Sequence, residues 1–182
     1  MMASSFLQIR LFVEGFYDKK FVERILAPRL SERYADVQIH EYARVADETL
    51  RNHFKSLTRM PDTCFFILAD YDMGPCLSAK RQALQHRFEP LLQPEQILIV
   101  RQEIESWYLA GVPAENHFKV EIPNNVETVS EEKFRDLFAT WCKRYRTNYA
   151  ILRDEILEIY DWDLALQRSP SLLYCAKRLG LV

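Results

Sequence analysis

Glycine is scarce in this chain, with four in 182 residues. Phosphate-cradling loops and dinucleotide fingerprints need several glycines within a few positions, because the backbone must turn tightly and come close to the ligand. Neither pattern occurs. Cysteine is equally sparse at four, and Cys64, Cys76, Cys142 and Cys175 show neither close pairing nor zinc-type spacing. They read as reduced thiols of an intracellular protein. No apolar run approaches the ~20 residues that span a bilayer, and the N-terminus offers no basic stretch followed by an apolar core. A cytoplasmic location without membrane association is therefore expected. A large charge imbalance is also missing: the formal net charge is −2, so no global basic field points to nucleic acid. A carboxylate site would offset local basic patches in that sum. Internal repeats and low-complexity tracts are absent as well.

Hydrophobic residues make up 48% and charged residues 27%, a mix that supports an ordinary packed core in a chain of this length. Residues 8–14 alternate as a strand, with Ile9, Leu11 and Val13 on one face and Phe12 on the other. From Asp18 the spacing becomes helical through Phe21, Val22, Ile25, Leu26 and Leu30, with Pro28 a possible bend or end. Residues 37–42 read as a second strand and 46–57 as a helix. Residues 64–69 are apolar on both faces, as in the middle of a parallel sheet. A helix over 78–89, a strand over 96–100 and a helix over 103–111 follow. This alternation predicts an α/β fold, a mostly parallel sheet of about four strands flanked by helices. Residues 112–129 lack periodicity and read as loop. Helices are expected over 131–145, over 148–160 and from Ser169-Pro170-Ser171 onward, where serine caps and proline fits the first turn. The expected organisation is a core over 1–111 and a helical extension over 112–182 packed on it.

The chemistry concentrates at strand ends. Val13-Glu14-Gly15 closes the first strand, and Asp18 stands four residues beyond Glu14. Asp70 and Asp72 flank Tyr71 after the third strand, and extended backbone points the side chains of i and i+2 the same way. Glu103 and Glu105 follow the fourth strand. Both face the crevice if that segment is extended; one does if it is helical. In a parallel sheet the carboxyl ends of the strands open on one crevice, so these acids would pool there. Oxygen-only ligands suit Mg²⁺ or Mn²⁺. Each acid alone also has an ordinary role: Asp18 as a helix N-cap, Asp70 and Asp72 in Asx turns before Gly74, Glu14 as a partner of Lys19 or Lys20. Their joint occurrence on one rim favours a shared cation. A calcium EF-hand loop starting at Asp70 would require an acid at its twelfth position, where Arg81 stands.

Val13-Glu14-Gly15 with Asp18, followed by Leu68-Ala69-Asp70-Tyr71-Asp72, resembles the TOPRIM (topoisomerase–primase) domain. The E-G-x-x-D spacing looks most like its nuclease branch, the overcoming-lysogenization-defect (OLD) family. Glu105-Ser106-Trp107 and Ser169-Pro170-Ser171 resemble a group of small stand-alone TOPRIM-like bacterial proteins, in which a glutamate two residues before a tryptophan recurs. The resemblance implies a Mg²⁺- or Mn²⁺-dependent nuclease that hydrolyses phosphodiester bonds of DNA or RNA in a bacterial defence context. Glu14, Asp70 and Asp72 would be catalytic, and Glu14, Asp18, Asp70, Asp72 and Glu105 would hold metal. The family's lysine is not assigned to one position here: Lys19, Lys177 and Arg101 are equal candidates. The chain lacks the ATPase domain of the OLD nucleases. Two other readings follow: a metal-binding regulatory subunit acting with a partner ATPase, and a phosphatase or phosphotransferase on a small substrate.

Lys143-Arg144-Tyr145-Arg146, with Tyr149 close by, mixes cations and aromatics as a surface for a nucleic-acid backbone does. It equally fits a solvated helix face. The four histidines are scattered in sequence and read as structural, and Trp107, Trp141 and Trp162 read as core.

Overall fold

In a computed structural model of the chain, residues 7–71 and 76–182 are described. The chain divides into two compact units, one built on residues up to Ile99 with Arg178–Leu181, the other on Val100–Lys177 with Val182.

Strands β1 (Gln8–Val13), β2 (Asp36–Glu41), β3 (Thr63–Asp70) and β4 (Ile97–Val100) form a parallel sheet in the order β2-β1-β3-β4. Helix α1 (Phe16–Phe21), a π-helical turn (Val22–Leu26) and α2 (Ala27–Leu30) lead from β1 to β2. Helix α3 (Asp47–Leu57) leads to β3, and α4 (Leu77–Phe88) precedes β4. Pro28 neither ends nor breaks the helical run. It cannot donate an amide hydrogen, and the turn before it is already widened, with Ala27 N–H bonded to the Val22 carbonyl five residues back.

Apolar residues on both faces make β1 and β3 the middle strands. Phe12, Phe65, Ile67, Ile97 and Ile99 join Leu50 and Phe54 of α3 and Phe88 of α4 in one core. Phe54 is its hub, edge-on to Phe12 at 4.9 Å and to Phe88 at 5.1 Å, and stacked on Phe65 at 5.2 Å. On β1 the opposite residues Ile9, Leu11 and Val13 are buried too. Val13 stands beside Glu41 on one side and Leu68 on the other. This register sets Glu14 one step past the sheet's carboxyl edge, level with the end of β3.

The second unit is helical: α5 (Glu105–Ala110), α6 (Glu131–Tyr145), α7 (Tyr149–Glu158), α8 (Trp162–Arg168) and α9 (Pro170–Arg178). Side-chain caps explain where they start. Asn148 Oδ1 accepts the amides of Ala150 and Ile151 at 3.0 Å, Asp161 Oδ1 that of Leu164 at 2.9 Å, and Ser169 Oγ that of Leu172 at 3.2 Å. The helix α8 is an addition to the sequence reading; Asp161 was its start signal, but Leu164 and Ala165 give too little apolar periodicity to declare it. Trp162 is only half-buried, whereas Trp107 and Trp141 are core residues as expected. Among the described residues no helix is long and apolar enough to cross a membrane.

Candidate functional site

The order β2-β1-β3-β4 reverses direction between β1 and β3: the chain steps to one side of β1 to build β2 and to the other to build β3 and β4. Ligands of open α/β sheets bind at such a switch point, outside the carboxyl ends of the strands. Glu14 and Asp70 lie there. Across the gap the Asp70 amide donates to Glu14 Oε2 at 3.1 Å. Asp18 is buried in the first turn of α1, where its Oδ2 accepts the Gly15 amide at 3.2 Å. It therefore closes the turn that carries Glu14 from the third position of the helix; the N-cap itself is Gly15, not Asp18. Asp72, the fourth acid of the expected set, lies outside the described residues, as does Gly74.

Tyr42 is the residue of this edge that sequence reasoning missed. Its amide donates to the Val13 carbonyl at 2.9 Å, and that of Ala43 to the Glu14 carbonyl at 3.3 Å, so the chain keeps tracking β1 after β2 ends. The buried Tyr42 hydroxyl is held far above the ordinary tyrosine range, first by burial and then by the charges of Glu14, Asp18 and Asp70. All three carboxylates thus act on one hydroxyl. Arg87 of α4 works against them on Tyr42, and its own basicity is strengthened chiefly by Asp47 and slightly by Tyr42 and Glu14. Its Nε lies 3.0 Å from Asp47 Oδ2. The only sequence signal for Tyr42 was its place at the end of an alternating run, and for Arg87 there was none.

Among the described residues no group of three or more His, Cys, Asp or Glu side chains is arranged to hold a metal ion. Glu14, Asp18 and Asp70 are hard oxygen donors, the right chemistry for Mg²⁺ or Mn²⁺, but the described part of the set is not a closed site without a further ligand.

Glu105 is the first residue of α5, in the second unit, and is buried with Arg153. Arg153 Nη2 donates to Glu105 Oε1, lies 3.6 Å from Glu131 Oε1, and the guanidinium sits 4.9 Å from the centre of the Phe134 ring. Burial pushes the Glu105 carboxyl above its ordinary range, further than Arg153 draws it down. Glu103 lies before the helix, which starts at Glu105 rather than at 103, and it accepts the Glu131 amide, so the two glutamates have different partners. The Trp107 and Ser169-Pro170-Ser171 motifs meet in one buried network. Glu127 Oε1 accepts Ser169 Oγ–H at 2.8 Å and the Ser171 amide at 2.7 Å, and Trp107 Nε1–H donates to Ser171 Oγ at 2.8 Å. That network fixes the start of α9. Of the three cations considered for catalysis, Lys19 lies 3.6 Å from Glu41, Arg101 lies 3.8 Å from Glu127, and Lys177 is exposed. His40 and His53, far apart in sequence, bring their rings to 5.1 Å and flank Phe12.

The chain is similar to the C-terminal region of the OLD protein of Xanthomonas campestris pv. campestris, at 17% identity and a TM-score of 0.40, over 95% of this chain and 90% of that one. No family model and no curated protein matches it. Function is therefore read from the acids themselves.

Proposed function

We propose that this protein hydrolyses phosphodiester bonds of nucleic acid with Mg²⁺ or Mn²⁺ held at the carboxyl edge of the sheet. The observation that carries the reading is the bond from the Asp70 amide to Glu14 across the switch point, which ties two acids from different strands to one spot. Glu14, Asp18 and Asp70 would hold the metal, and Asp72 would complete the set. When bound, the ion would supply Lewis-acid polarisation of the phosphoryl oxygens. Glu14 has one oxygen fixed by the Asp70 amide, and its second oxygen would serve either as a ligand of the ion or as the acceptor for the proton of the attacking water. Asp18 holds the Gly15 turn in place and so keeps Glu14 at the rim. Tyr42 and Arg87 bracket the acids with a neutral hydroxyl and a positive charge. The reading gives Glu105 no ligand role, since Arg153 balances its charge.

The test is cleavage of labelled single- and double-stranded DNA and RNA with Mg²⁺, Mn²⁺ or EDTA. Cleavage is expected with metal and lost in EDTA. Asp70→Ala and Asp72→Ala are each expected to lose more than the roughly 10–100-fold that removal of outer-shell partners costs, with circular dichroism unchanged. Undiminished cleavage by both variants would overturn the reading, as would turnover of small phosphorylated compounds alone.

A further inference from the structure

In the second unit, the segment 118–124 lies along α6 and encloses with it a groove of about 730 Å³. Its lining includes Lys119 and Arg144, one acid, Glu121, and the aromatic residues Phe118 and Trp141. Phe118 meets Trp141 edge-on at 5.0 Å, and Trp141 meets Tyr145 at 5.1 Å. The row runs from core to solvent, since Trp141 is 8% exposed and Tyr145 58%. Tyr145 does not line the groove itself; through its contact with Trp141 it carries the row of rings from the groove wall out to solvent.

Charge points the same way. Arg10, Arg87, Arg101, Arg135 and Arg153 each meet a carboxylate. Lys119, Lys143, Arg144 and Arg146 have no carboxylate within ion-pair distance among the described residues; exposed cations elsewhere, such as Arg44 and Arg59, share that, but these four gather near the groove and the adjoining end of α6. Cations in a last helical turn favourably complement the helix dipole, which accounts for Lys143 and Arg144. It does not account for Lys119, which reaches the same groove from a different segment. Arg146 takes the left-handed conformation at the end of α6, with φ 51°, where glycine is the usual choice.

We infer that this groove binds single-stranded nucleic acid, with phosphates on Lys119 and Arg144 and a base stacked on Tyr145. Cations along a groove beside an open aromatic ring are the combination that tracks a backbone and stacks its bases regardless of sequence. A duplex keeps its bases stacked inside and offers Tyr145 nothing to cover. An acidic peptide would satisfy the cations and leave the ring bare. The groove would take the same class of polymer as the acidic edge, through different residues.

The test is fluorescence anisotropy of labelled 20-nucleotide oligo-dT and oligo-U with the full chain in EDTA, so that metal-dependent cleavage plays no part. Binding is expected to weaken with salt. The double reversal Lys119→Glu/Arg144→Glu is expected to lose at least tenfold and to lower the logarithmic salt slope by about 1.4, roughly 0.7 for each phosphate contact. Tyr145→Ala, on a separate exposed residue, is expected to cost about fivefold or more and leave that slope unchanged. Affinity unaltered in both variants overturns the inference, as does equal binding of duplex. So does equal binding of polyglutamate that ignores Tyr145→Ala, which would assign the groove to an acidic protein. Loss of cleavage in Asp70→Ala with oligomer binding retained separates this groove from the acidic edge.

Discussion

Cys76 and Tyr42 are ionisable groups displaced in opposite senses by identifiable neighbours. Cys76 sits exposed before α4, where the Ser78 hydroxyl and the Ala79 amide draw its thiol below the ordinary range, the Ser78 contribution being the larger. Burial raises Cys64, and burial with Glu155 raises Cys142. Thiolates are the reactive form, so iodoacetamide at neutral pH should label Cys76 ahead of the other three, as read by peptide mass spectrometry. Ser78→Ala should slow that labelling several-fold. For Tyr42 the raised value means that the unfolded chain ionises near pH ~10 while the folded one stays protonated. Its contribution to stability is whole below that pH and drains away as pH climbs further. Between pH ~9 and ~11, denaturant titrations should show stability falling less steeply in Tyr42→Phe than in the unaltered protein. Glu14, Asp18 and Asp70 were legible singly because each ends or follows an apolar run. Tyr42 was not, because its neighbourhood with them exists only once β2 and β3 settle on opposite sides of β1. The ion pair of Glu105 was hidden for a related reason: its partner Arg153 lies 48 positions away, and no local pattern announces a long-range ion pair.

At the level of elements, apolar patterns made the strands and most helices readable, and a serine–proline start marked the last helix. Strand β3 follows its apolar run, and α6 and α9 begin after Ser130 and Ser169 as their sequences suggest. The short α8 escaped because seven residues give too few turns for a period to emerge. Gly111 illustrates a constraint no pattern reveals. A methyl group there would stand 2.4 Å from the Tyr160 ring, whose hydroxyl donates to the Trp107 carbonyl at 2.9 Å. Next to it the Asp161 amide bonds the Gly111 carbonyl at 2.9 Å, so the turn that leads into α8 is seated on this glycine. Overpacking of this sort costs about 1–3 kcal/mol. Gly111→Ala should lower the urea midpoint correspondingly, and Gly111→Ala with Tyr160→Phe should not recover it, because the ring and not the hydroxyl makes the clash.

For the molecule as a whole, the parallel arrangement was legible from the alternation of strands and helices, whereas the strand order was not, since nothing in a single sequence says on which side of β1 each later strand lands. Anything that binds the folded chain and not the unfolded one stabilises it by mass action, by about 1.4 kcal/mol at tenfold excess over the dissociation constant. Mn²⁺ or Mg²⁺ should accordingly raise the thermal midpoint by a few degrees, and Asp70→Asn should abolish that rise, as measured by scanning fluorimetry. The bond from the Asp70 amide to Glu14 gives the sheet a gauge of its own alignment. Slippage of β3 along β1 by one position, about 3.3 Å, would break it and bring Tyr71 to the rim in place of the aspartate. Loosened packing at Leu11 or Ile67, far below the edge, would then first be felt as a misplaced carboxylate rather than as an unfolded protein.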